Sequence, residues 1–197
     1  MSNVILEDMT WDDLPHPWTK DKRKELFQNT RQSKDESFQK GFIRRHLGVD
    51  LTKFPEGKRH LRLNKRTIEA VPMRVIKTRE DFVDWTEDFD GYCQVNNKEL
   101  FWNLKNITCA GGAQNRSIRP IIDMTECFAK WIKKNGDTNK YFICITDGKY
   151  LSEFVRPRPG NTLSQFEYVV DQVDPSLKKY FFFGQLKDLR EWWSANV

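Results

Sequence analysis

The stretch Asp90–Lys105, DGYCQVNNKELFWNLK, constrains the fold more than any other part of this 197-residue chain. Two consecutive asparagines, Asn96 and Asn97, separate residues of strand character and predict a tight hairpin spanning about residues 89–108. Beyond the turn, Leu100–Lys105 alternates. In a strand, Phe101, Asn103 and Lys105 share one face, and Leu100, Trp102 and Leu104 take the other. Such a hairpin brings Asp90 beside Asn103 and Lys105. A lysine inside so apolar a segment needs a partner or a cavity. An acid, a second oxygen ligand and a lysine at one spot suit Mg²⁺-assisted phosphodiester cleavage: oxygens hold the hard cation, and the ammonium orients water and offsets charge. For Asp90 alone, turn formation ahead of Gly91 is the plainer alternative.

The rest of the chain supplies helices and further strands around this hairpin. Residues 19–46 are rich in Lys, Arg, Glu and Gln, with Leu26, Phe27, Phe38, Phe42 and Ile43 spaced for two amphipathic helices. Gly48 and Pro55–Gly57 break that pattern, and Thr78 is a fair start for a helix seating Phe82, Val83 and Trp85. A helix is predicted from Ser117 to Lys134, with Pro120 tolerated in its first turn and Asn135–Gly136 ending it. Tyr141–Thr146 reads as a buried strand closed by an Asp147–Gly148 turn, Tyr180–Phe183 as another strand, and Gln185–Ala195 as a closing helix. This order predicts a mixed α/β fold, with helices packed on a central sheet.

Length and composition predict one domain: residues 1–57 a largely helical N-terminal part, residues 78–148 the core carrying the chemistry. Seven Trp and fourteen Phe exclude a disordered chain. A net charge of +5 is compatible with an anionic partner without requiring one. Cys93, Cys109, Cys127 and Cys144 form no C-x-x-C pair, and His16, His46 and His60 give no metal-ligand spacing, so a zinc site is not expected. No apolar run reaches the length of a membrane span and the acidic N-terminus has no signal-peptide core, which predicts an intracellular, cytoplasmic protein.

The order Asp90–x(12)–Asn103–x–Lys105 resembles the hairpin of the PD-(D/E)XK nucleases, in which an Asp precedes a (Glu/Asp)–x–Lys strand. WTEDFDG, FWNLK, GGAQNRSIR and YFICITDG, in that order over residues 85–148, are similar to one block of the type II restriction endonucleases. Asn103 stands where the second acid is usual, although some restriction enzymes of this superfamily carry an amide there. The resemblance implies a restriction-endonuclease-like mixed sheet flanked by helices and a Mg²⁺ cofactor held by Asp90 and Asn103, with Lys105 beside the attacking water. It further implies double-stranded DNA as partner, a homodimer, a short palindromic site and a cognate DNA methyltransferase as companion. Glu69 is a candidate for the helix acid often added in this superfamily. Glu87 and Asp88 either bind a second metal or are solvated.

Two basic segments are candidate DNA contacts. Lys58–Arg66, KRHLRLNKR, holds Lys58, Arg59, Arg62, Lys65 and Arg66, either a solvated basic loop or a phosphate-contacting strip. After the turn Ala110–Ala113, Gln114, Asn115, Arg116 and Arg119 suit base edges and phosphates, or else cap a helix and pair with Glu87 or Asp88. Besides a sequence-specific endonuclease, a catalytically decayed DNA-binding module, motivated by the amide at 103, and a structure-specific or repair nuclease stay open.

Overall fold

The hairpin forms where the alternation places it. Strand β1 (Gly91–Val95) pairs antiparallel with β2 (Lys98–Asn106), with Gly91 opposite Trp102 and Val95 opposite Lys98. Asn96 and Asn97 adopt φ of 49° and 63°, the doubly left-handed turn that matches strand twist and that asparagine tolerates. This computed structural model describes residues 8–15, 19–27, 32–52, 89–106, 112–148, 157 and 160–197. The basic strip Lys58–Arg66, the Thr78 helix start, Glu69, Glu87, Asp88, His16, His60 and Cys109 lie outside them.

Helices α1 (Lys20–Phe27) and α2 (Gln32–Leu47) precede the hairpin, as the amphipathic spacing predicts. Helix α3 (Gly112–Asn135) follows β2 and leads into β3 (Lys140–Asp147). Helix α4 (Gln165–Val173) and a 3₁₀ turn lead into β4 (Phe181–Gly184), and α5 (Leu189–Asn196) closes the chain. The four strands form one mixed sheet in the order β1-β2-β3-β4, β2 to β4 being parallel. Thr52 extends the sheet by a bridge to Tyr92.

Both faces of the sheet are covered. On one, Phe128 of α3 meets Phe101, Phe142 and Phe181, with ring centroids 5.5, 5.6 and 5.8 Å away, and Phe166 of α4 stacks on Phe183. On the other, Trp193 of α5 lies against Trp102, and Trp192 against Tyr141 and Phe182. Strands covered on both sides read as continuous apolar runs rather than alternating ones, which is why Tyr141–Ile145 carries no polar interruption other than Cys144. Cys93, Cys127 and Cys144 are buried free thiols, and the Cys93 sulfur accepts the Trp102 indole N–H. His46 is a structural histidine whose ring N–H donates to the Met9 carbonyl.

Three expectations change. Helix α3 starts at Gly112, five residues ahead of Ser117, so Pro120 stands in its third turn. There it withholds a donor from the Arg116 carbonyl, a cost that a long helix packed on the sheet absorbs. Asp147 is the last residue of β3, fully buried, not part of a solvent-facing turn; only Gly148, at φ 102°, turns the chain. Helix α4 was not expected at all. Among the described residues, no helix is long and apolar enough to cross a membrane.

Gly91 serves close approach rather than a turn. A Cβ there would lie 2.8 Å from the Leu51 Cβ, and the backbone is ordinary β1 strand. Gly91→Ala should therefore destabilise the fold by about 1–3 kcal/mol through overpacking, read as a lower urea midpoint with unchanged slope. An unchanged midpoint would show that Leu51 yields without cost.

Candidate functional site

Asp90 ends the β1–β2 ladder. Its N–H donates to the Trp102 carbonyl at 2.8 Å, and its carboxylate Oδ2 accepts the Leu104 N–H at 2.7 Å. The side chain thus takes the place of a backbone carbonyl just where β1 runs out. That bond aims the carboxylate at the end of β2 that carries Lys105. Its other oxygen, Oδ1, makes no hydrogen bond to a described residue.

Three charges and one hydrogen bond act on this carboxylate besides its burial. Burial pushes the Asp90 carboxyl up to about 6, while the nearby Lys105 ammonium and the Leu104 N–H hold it lower; Glu36 raises it and Lys40 lowers it. Glu36 and Lys40 stand one turn apart on α2 and form an ion pair of 2.5 Å. The fold therefore joins Asp90 and Lys105, as expected, and adds a Glu–Lys pair from a helix more than fifty positions earlier. The i, i+4 spacing of Glu36 and Lys40 was visible in the sequence, but nothing local said which strand α2 would cover.

Asn103 lies one position beyond the last β1–β2 pair on the Asp90 side, on the strand face of Phe101 and Lys105. It is fully buried, and neither its Oδ1 nor its Nδ2 has a hydrogen-bond partner. An amide buried without partners is costly and rare. Its chemistry fits a cation that takes the carbonyl oxygen, or an ordered water. Among the described residues, no group of three or more His, Cys, Asp and Glu side chains could hold a metal.

Gln114, Asn115 and Arg116 occupy the first turns of α3 instead of a loop before it, and Arg119 lies in the helix as expected; the side chains of all four lie outside the described ones. The short connection from Asn106 to Gly112 ties this helix start to the strand end that carries Lys105. At the same end, Gln39 of α2 donates from Nε2 to Asp147 Oδ2 at 2.7 Å, and Asp147 Oδ1 accepts the Leu186 N–H at 2.9 Å. Burial pushes the Asp147 carboxyl up to about 7, against the two hydrogen bonds, and the carboxylates of Asp188 and Asp35 push the same way.

Compared with family models, curated proteins and solved structures, the chain matches none of them.

Asp90 and Asp147 both hold their protons to a higher pH than in the unfolded chain, where an Asp titrates near 3.8. The unfolded chain then binds fewer protons across the interval, so their contribution to stability falls as pH rises from about 4 to about 7 and is constant outside it. Asp147→Asn keeps an acceptor for the Leu186 N–H and cannot ionise. In chelator, it should gain on the wild type as pH rises through the upper part of that window. Urea midpoints at acid and neutral pH measure this; a mutant-minus-wild-type difference that does not change with pH would remove the buried charge as the cause.

Proposed function

We propose that this chain is a Mg²⁺-dependent endonuclease of duplex DNA with a restriction-endonuclease-like fold, allied to the PD-(D/E)XK nucleases. The observation that carries the reading is the Asp90 carboxylate held at the end of the hairpin within the field of Lys105, beside an Asn103 amide with no protein partner. Hydrolysis adds water to phosphorus and breaks one P–O ester bond, leaving a phosphate monoester and an alcohol. Asp90 and the Asn103 carbonyl oxygen would hold the cation, which when bound supplies Lewis-acid charge at the phosphate.

The chain's own groups do the rest. Above pH of about 6 Asp90 is ionised and offers its Oδ1. The Leu104 N–H keeps the carboxylate from turning. Lys105 orients the attacking water and offsets charge that develops on the phosphate. Arg116 and Arg119, in the first turns of α3, reach DNA where a helix N-terminus favours phosphate. A homodimer reading a short palindrome, with a DNA methyltransferase protecting the host, follows from the same resemblance.

The amide at 103 favours one competing reading, a DNA-binding module that has lost catalysis. Digestion of a fully sequenced, unmodified DNA with Mg²⁺, followed by end mapping, separates the readings. Discrete ends support a sequence-specific enzyme, cleavage of branched or damaged DNA alone a structure-specific one, and binding without cleavage the decayed module.

Lys105→Ala should lower cleavage by about 10³-fold or more while leaving DNA binding largely intact. It should also raise the Asp90 carboxyl further, since Lys105 is the strongest of the groups that hold it down. Wild-type turnover in this variant would take Lys105 out of the mechanism.

Arg116→Ala and Arg119→Ala tell base reading from phosphate contact. Loss of a guanine contact costs about 1–3 kcal/mol on the cognate site alone, whereas loss of a phosphate contact weakens all DNA and lowers the salt slope by about one. Salt-series binding on cognate and random duplexes distinguishes them. Unchanged affinity on both would take α3 out of the DNA interface.

A further inference from the structure

Beyond Leu104, β2 loses its partner on the β1 side. The β1 ladder stops at Gly91 opposite Trp102, and the Leu104 N–H turns to the Asp90 carboxylate. Among the described residues, Lys105 and Asn106 are paired in the sheet with β3 alone, opposite Thr146 and Asp147. Gln39 of α2 braces this end. Its Nε2 donates to Asp147 Oδ2 at 2.7 Å and lies 3.5 Å from the Lys105 carbonyl oxygen. Asp147 Oδ1 accepts the Leu186 N–H, so this one carboxylate joins α2, β3 and the chain beyond β4.

Stability does not account for an amide at position 39. Phe38, Phe42 and Ile43, all buried, seat α2 in the core without it. Gln39 is 1% exposed, and its Oε1 has no partner among the described residues. Apolar side chains of matching shape at 39 and 147 would serve packing as well or better, since a buried polar pair with an orphaned acceptor gains little over them. What the pair adds is geometry. A hydrogen bond of fixed length and direction ties the helix to the strand ends where apolar packing alone would let it slide.

We propose that Gln39 is a positioning residue of the candidate site, bracing the end of β2 against Asp147 so that Lys105 keeps its place beside Asp90. The chemistry it serves rests on the nuclease reading; the bracing itself does not. The same tie sets the face of α2 from which the Glu36–Lys40 ion pair acts on Asp90, Glu36 and Lys40 flanking Gln39 on that helix. Such a brace matters because a reacting group misplaced by about 1 Å loses about 10²-fold in rate.

The test labels the lysines of the full-length protein with trace acetic anhydride, well below Tm, and reads each by mass spectrometry. Gln39→Met keeps the length of the side chain and loses the donor. It should raise the labelling of Lys105 severalfold and leave Lys140, at the opposite end of the parallel strands, as in wild type. Asp147→Asn should resemble wild type, because the Gln39 amide can rotate to accept from the new Nδ2. In DNA cleavage, Gln39→Met should lower kcat by about 10–100-fold with DNA affinity unchanged, and that loss should vanish in a Lys105→Ala background. The proposal is overturned if Lys105 labels as in wild type, if Lys105 and Lys140 rise together as general loosening would have it, or if a cleaving protein keeps its kcat. Should Gln39→Met not fold, Gln39→Ala decides in its place. If the wild-type protein cleaves no DNA, the nuclease reading fails, and the labelling still decides whether Gln39 braces Lys105.

Discussion

The parallel pairing of β2 with β3, covered by helices on both faces, governs most of this structure. Strands placed so tolerate polar side chains poorly, and Leu100, Phe101, Trp102 and Tyr141–Ile145 obey the rule. Polar groups stand toward the strand ends: Lys98 and Glu99 where β2 begins and Lys140 where β3 begins, then Asn103, Lys105 and Asn106 late in β2 and Thr146 and Asp147 late in β3. Thr146 is satisfied by the Gly184 carbonyl at 3.1 Å. Asn103 and Lys105 lie at the candidate site beside Asp90. The C-terminal ends of strands in an open α/β sheet are where ligands bind, and here the helix α3 begins a few residues beyond one of those ends.

Asp90 joins structure to chemistry. Taking it from water disfavours its charged form, and no single neighbour cancels that cost, since its carboxyl still sits at about 6 with Lys105 beside it. What the fold gains in return is orientation: the Leu104 N–H holds one oxygen and leaves the other without a hydrogen bond to a described residue. Gly91 makes this possible, because the chain must pass against Leu51 directly after Asp90. The carboxylate thus caps the ladder, and at Gly91 the turn-former reading of Asp-Gly is replaced by close packing.

Much of the fold was legible where the signal was local. Asn96–Asn97 specified the hairpin, the Leu100–Lys105 alternation set its faces, and Gly136 at φ 60° ended α3 as expected. Helix α4 had a local signal that went unread: Ser164 and Glu167 form a capping box ahead of an apolar turn. The early start of α3 was hidden by Gly112 and Pro120, whose propensities argue against helix but are overridden by a long face packed on the sheet. Of the candidate site, Asp90, Asn103 and Lys105 were readable from their spacing. Glu36, Gln39 and Lys40 were not, because only the docking of α2 on β2 brings them to Asp90 and Asp147. Asp147 looked like a turn residue because Asp-Gly usually is one; burial at a strand end reverses its meaning.

The amide at position 103 follows from its depth. A carboxylate there would be fully buried beside Asp90, which burial and Glu36 already push upward. Like charges that close raise one another further, and Asp90 would then hold its proton to a higher pH. A neutral amide avoids that repulsion and still offers an oxygen, at the expense of cation affinity.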